Sequence, residues 1–301
     1  MIVTSDLLAG ATTLWQAEFD KLMGKLTQDG LTVAMKIPAG NKSVVTFNWL
    51  GAPPTLRTFT GTVEFGKSFP HNYSVEVGEQ AVGLAIKERE FRHNTLDTIT
   101  RHVAMFQRQA LRYIDKIIFT QLGAGFTANG YDAVTFYNDS HPVAAGGTYD
   151  NLLSGAGSTL LADDSNGNYA IAWALLNTTK DDQGEPSGFV ASHVVVHPNN
   201  RVVAMKVFVA PTVAAGGTNV LAGDAKVIPS AYLPTSTQWH LLDCVEEMKP
   251  ILLVEDLPIE FTQEAANATG QFLNKVLRWK VQAELATGFG PPWLAVGAAG
   301  A

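Results

Sequence analysis

Residues 55–122 read TLRTFTGTVEFGKSFPHNYSVEVGEQAVGLAIKEREFRHNTLDTITRHVAMFQRQALRYIDKIIFTQL, and this stretch decides the fold. Arg57-Thr-Phe-Thr-Gly-Thr-Val-Glu-Phe65 alternates loosely and Tyr73-Ser-Val-Glu-Val77 alternates cleanly, the period-two signature of strands. Gly66-Lys-Ser-Phe-Pro-His-Asn72 between them has turn chemistry. The second strand resumes at Val82–Ile86 and turns strongly charged from Lys87 to His93. The pattern predicts a two-stranded arm whose limbs reach roughly 35–50 Å at ~3.3 Å per residue. An isolated hairpin is marginal in water and exposes two strand edges, so a free monomer gains little from it. The arm argues for a protein completed by its neighbours.

The arm runs straight into a helix predicted over 94–122. Ile99, Val103, Phe106, Ala110, Ile114 and Ile117 recur at alternating steps of three and four, while Arg101, Arg108, Arg112 and Lys116 mostly fall off that stripe. Asn94 suits the cap, Asp97 the first turn, and Gly123 with Gly125 the end. At 1.5 Å per residue the element is ~40 Å long, a spine for a whole lobe.

Outward from the spine, an opening helix carries Leu8, Trp15, Phe19, Leu22 and Leu26 on one stripe and closes at Gly30. Short strands are predicted over 31–37 and 44–50, ahead of the breaker Ala52-Pro53-Pro54. Residues 126–164 read as irregular surface. A helix starts at Asn168, a buried strand covers 189–196, Pro198 opens a helix over 199–208, and strands alternate with loops over 226–243. Two long strands follow at 250–263 and 272–285. In the second, Leu273, Lys275, Leu277, Trp279 and Val281 share a face suited to packing on the spine. The tail from Gly288 to Gly297 is too rich in Gly and Pro for a regular element. The class is α+β, with two lobes and an arm.

Charged residues make up 16% of the 301, below the usual ~25%. That low share fits a surface buried against copies of itself. A net charge of −7 argues against a nucleic-acid wrapper. The single Cys244 cannot form an intramolecular disulfide and fits a reducing compartment. No secretory signal and no run of ~18 apolar residues is visible, so no membrane partner is expected.

No catalytic, metal or cofactor site is expected. Asp139-Ser140-His141-Pro142 sets triad residue types side by side, but sequence neighbours rarely have triad geometry and the Gly-x-Ser-x-Gly elbow is missing; it reads as a surface turn. His193 and His197 share a strand face without a third ligand. Glu88 and Glu90 alternate with Lys87, Arg89 and Arg92 and read as an ion-pair strip. Cys244 has no activating neighbour and reads as a small buried hydrophobe.

The opening Met-Ile-Val-Thr, Trp49-Leu-Gly…Pro-Thr-Leu56, the arm leading into the long helix, Tyr131-Asp…Phe136-Tyr…Ser140-His-Pro142 and the strand with Trp279 together resemble the major head (capsid) proteins of Mu-like bacteriophages and prophages. The order of elements carries more of the resemblance than any string does. It implies an HK97-type capsid fold: N-terminal arm and leading strands over 1–54, an extended hairpin (E-loop) over 55–82, a peripheral domain over 83–122 and 246–285, and an axial domain over 123–245 and 286–301. It further implies capsomers, pentamers and hexamers, closing an icosahedral shell around double-stranded DNA without sequence-specific binding. A tail-tube subunit is the alternative, disfavoured by the long helix. Intersubunit contacts are expected at Arg57, Phe59, Glu64, Phe65, Lys67, Phe69, Glu76 and Glu79 on the arm, and at Glu264 and Asn267 in the peripheral-domain loop. Lys67 is the one candidate for covalent cross-linking. Since the chain starts almost at once with the arm, a separate scaffold is expected, with a maturation protease and a portal. Assembly is expected in the bacterial host cytoplasm, and the end point is the virion.

Overall fold

The computed structural model describes residues 5–25, 28–50, 70–93, 96–144, 146–160, 167–180, 184–186, 188–213, 216–264 and 275–300. Both helical repeats are realised. The opening stripe forms α1 (Ser5–Lys25), and the spine forms α4 (Leu96–Ala124), 29 residues long. Val103, Leu111, Ile118 and Leu122 of α4 are buried, and α1 lays Trp15 and Phe19 beside them. Trp15 Nε1 donates to Thr100 Oγ1 at 2.9 Å, and Gln107 Nε2 donates to the Trp15 carbonyl at 3.1 Å. The Trp15 indole and the Gln107 amide nitrogen are thus satisfied where water is excluded, while Gln107 Oε1 is buried without a partner.

Under the two helices lies a four-stranded sheet in the order β1-β11-β12-β4. β1 (Ala34–Pro38) runs parallel to β11 (Ile251–Gln263). β12 (Val276–Phe289) is antiparallel to both β11 and β4 (Gly78–Lys87). The alternation holds within β12, where Leu277, Trp279 and Val281 are buried against the helices, whereas Lys275 is exposed just before the strand with a φ of 50° and Leu273 lies outside the described residues. Trp279 meets Trp15 edge-on, with centroids 5.2 Å apart. Each such side chain contributes roughly 1.5–3 kcal/mol by burial, so this interface dominates the first lobe.

The second lobe is a five-stranded sheet, β7-β13-β10-β8-β9, built from β7 (Leu152–Leu153), β8 (His193–Val196), β9 (Lys226–Pro229), β10 (Trp239–Leu242) and β13 (Ala295–Ala298). α5 (Asn168–Thr178) and α6 (Arg201–Phe208) cover a separate core of Tyr169, Leu176, Val194, Val207, Phe208 and Trp239.

Four local expectations change. The apolar run 31–37 divides into a one-turn helix, α2 (Asp29–Val33), and β1. The Gly30 amide donates to Asp115 Oδ1 of α4 at 2.9 Å, and a Cβ at Gly30 would sit 2.8 Å from that oxygen. The charged run after Lys87 is a helical turn, α3 (Glu88–His93), rather than more strand. The tail is not irregular: β13 is a buried strand between β7 and β10. Its Gly297 makes this possible, because the Tyr137 ring occupies the space where a Cβ would lie, 2.5 Å away. Finally, the described partner of 73–76 is 44–47, which the alternation did not name, while 57–65 lies outside the described residues. β3 (Pro70–Glu76) pairs antiparallel with β2 (Val44–Leu50), from Val44↔Glu76 to Leu50↔Pro70. Pairing partners depend on contacts distant in sequence, which alternation alone does not specify.

Candidate assembly surfaces

The β2–β3 ribbon lies on the first sheet. Val45 and Val75 bury against Ala39 and Val254, and Gly288 leaves room for Val75, which would lie 2.5 Å from a Cβ there. At its far end the ribbon is clasped by aromatic rings. Trp49 and His71 face each other across the strands with centroids 5.8 Å apart. Tyr131 stands edge-on to both, at 5.2 and 4.8 Å, and Trp293 closes on Tyr131 at 5.8 Å. The ends of β2 and β3 that flank residues 51–69 are therefore held by the first sheet, the loop after α4 and the C-terminal tail. Two hairpin strands with a ring clasp at one end make a stiff root for whatever follows.

Arg57, Phe59, Glu64, Phe65, Lys67 and Phe69, with Asn267, lie outside the described residues. Glu76 and Glu79 are exposed, on β3 and β4 respectively. Glu264 follows β11 directly; its amide donates to the Arg278 carbonyl at 3.0 Å and its Oε1 lies 3.6 Å from Arg278 Nη1. Within the subunit it ties the end of β11 to β12. Within the sheet, β1 and β4 are the edge strands, with no further described strand beside either.

The triad types are kept apart. Ser140 and Asp139 are exposed, whereas His141 is wholly buried, so the segment is only half a surface turn. His141 Nδ1 lies 2.6 Å from Asp132 Oδ2, its Nε2 lies 3.2 Å from both the Phe136 carbonyl and Asn151 Oδ1, and Tyr149 stacks on the ring. Asn151 Nδ2 donates to the carbonyls of Phe136 and Pro292. This network pins the loop after α4 to the tail, with no nitrogen left to act as a base. No spacing rule marked Asp132 as its partner. His193 sits at the start of β8 and His197 after its end, where His197 Nδ1 accepts from the Asn199 amide. Burial lowers the His193 pKa, with Lys226 and Lys249 adding to the effect. Cys244 is buried as expected, and desolvation pushes its thiol up to about 12, far from a nucleophile's range. Among the described residues no group of His, Cys, Asp and Glu could hold a metal ion, and no helix is long and apolar enough to cross a membrane.

A family model described as Mu-like prophage major head subunit gpT matches residues 8–166 and 159–233. The major capsid protein of Escherichia phage Mu is 29% identical over 165 residues, 53% of this chain and 50% of that one. The Mu-like prophage FluMu major head subunit of Haemophilus influenzae is 27% identical over 181 residues, 59% of this chain and 57% of its own. The matches thus span about half the length of these curated relatives. Among solved structures, the procapsid of bacteriophage JBD30 superposes with a TM-score of 0.61 at 19% identity, over 98% of this chain and 75% of that chain. The fold is that of phage capsid subunits, the α+β HK97 type expected from the order of elements.

Proposed function

The chain belongs to the Mu-like prophage major head subunit gpT family, and on that premise we propose that its copies self-assemble into pentamers and hexamers that close an icosahedral head shell around double-stranded DNA. The observation that carries this reading is the family match, which runs through the ribbon root, the spine helix and much of the second lobe. The E-loop, expected over 55–82, lies on a neighbouring subunit, with Arg57, Glu64, Lys67, Glu76 and Glu79 setting register. Phe59, Phe65 and Phe69 supply apolar contact. The first lobe is the peripheral domain and the second the axial domain around five- and six-fold axes, joined head to tail into closed rings. A separate scaffold, a maturation protease and a portal complete assembly in the host cytoplasm. Exposed ion pairs contribute only about 0–1 kcal/mol each, so shell stability comes from repeated apolar contacts over many copies.

A cut through 60–78 would remove β3 and its buried Val75 along with the arm. The informative variant replaces 53–67 by a short Gly-Ser linker, because Leu50 and Pro70 are already register partners. It is expected to stay folded and soluble by circular dichroism and to make no shells. Closed particles from this variant in negative-stain micrographs would refute the role of the arm.

A further inference from the structure

Between α4 and β4 runs a groove enclosing about 390 Å³. Its floor is apolar, formed by Phe106, Ala110 and Tyr113 of α4 and Val281 of β12. Val82 is 50% exposed at the mouth, and Met105 on the neighbouring helix face is 67% exposed. Arg112 and Lys116 line the groove, and Arg108 extends their row by one turn. At positions i, i+4 and i+8 the three cations share one side of the helix. Among the described residues no carboxylate lies within ion-pair distance of any of them. Asp115, on the same stretch of helix, is held by the Gly30 amide, and Asp97 by Arg101. The opposite wall is Gln80, Ala81 and Val82 of β4, an edge strand.

An apolar floor, a strand edge and an unanswered row of cations thus coincide in a chain whose net charge is −7. We infer that this groove docks an acidic amphipathic segment of a partner protein, its apolar side chains on the floor and its carboxylates against Arg108, Arg112 and Lys116. Apolar burial supplies the affinity, while the cations set orientation and make binding salt-dependent. The chain's own undescribed segments fit less well. Residues 51–69 carry Arg57 and Lys67 against Glu64 alone, and 265–274 carry no charge. The acidic pairs Asp163-Asp164 and Asp181-Asp182 lie in stretches with almost no large apolar side chains. A nucleic acid would answer the cations and leave the floor, with Met105 beside it, uncovered.

The test uses the purified full chain and labelled 18-residue helical peptides with Leu and Ile on one face. One carries Glu on the other face, a second carries Lys there, and a third scrambles the first. By fluorescence anisotropy in 50 mM salt, the Glu peptide is expected to bind at least tenfold tighter than the other two, and to weaken severalfold at 300 mM. Arg112→Glu with Lys116→Glu, both at exposed positions, should leave the melting temperature unchanged, cost the Glu peptide at least tenfold and improve binding of the Lys peptide. Equal binding of the Glu and scrambled peptides, or full displacement by a DNA duplex, would reduce the row to a polyanion contact and overturn the inference. So would an unchanged double variant, or self-association of the chain that blocks the peptide, which would make a second copy the occupant.

Discussion

His240 is the residue whose chemistry most constrains conditions of use. It is fully buried on β10, Nδ1 lies 2.9 Å from the Tyr137 hydroxyl, and burial depresses its pKa from 6.5 to about 3. Below pH 6.5 the unfolded chain takes up a proton there and the folded chain does not, so stability falls as pH drops through the window from 6.5 to 3. The slope approaches about 1.4 kcal/mol per pH unit, or roughly 2–3 kcal/mol between pH 6.5 and 4.5. His240→Gln keeps a polar group beside Tyr137 and removes the titration. Its urea midpoint should therefore fall less steeply from pH 7.5 to 4.5 than that of the parent, which retains the same-signed contribution of His193 in both proteins. Equal pH slopes would show that His240 is protonated in the folded state. At this scale the sequence was legible where a residue type has a default: Cys244 is buried and inert. It was not legible for His141, because the carboxylate that takes it inside, Asp132, belongs to another loop position that no spacing rule connects to it.

Among elements, α4 was readable because a 3.6-residue period sustained over its whole length has no competing interpretation. The second long strand was readable because alternation in β12 places Leu277, Trp279 and Val281 on one side. β13 was not. Its composition, Ala-Val-Gly-Ala, carries no alternation, and the need for Gly297 arises from Tyr137, a residue far away in sequence. The same fact gives a prediction. Gly297→Ala places a methyl group into the buried Tyr137 ring, and overpacking of this kind costs about 1–3 kcal/mol. Gly10→Ala in α1, where nothing lies within 4 Å of the added Cβ, should instead stabilise by about 0.5–1 kcal/mol. Opposite shifts in denaturant midpoint are expected for the two variants. A neutral Gly297→Ala would mean that β13 can slide away from Tyr137 and does not fix the tail.

For the whole molecule, two cores and a ribbon held at both ends follow from separate contacts, and what holding the ribbon does for assembly can be tested. The ribbon's inner end rests on Val75 and Val254, while its outer end is held by Tyr131 from the loop after α4 and Trp293 from the tail. Sequence patterning led to the expectation of an arm and a lobe but not of this clasp, since Trp49, His71, Tyr131 and Trp293 come from four separate stretches. Tyr131 and Trp293 are half-buried, so Tyr131→Ala with Trp293→Ala removes ring contacts each worth about 0.5–1.5 kcal/mol beyond burial while both main cores stay intact. The double variant should melt within several degrees of the parent and retain its far-ultraviolet spectrum. A subunit whose arm root can swing has to order that root during assembly, and a penalty repeated at every copy favours free subunits over closed shells. Particle yield by sedimentation should fall sharply, and surviving particles should be irregular in micrographs. Normal yield of regular shells from a destabilised but folded double variant would show that the arm takes its direction from the neighbour it lands on, and not from the clasp.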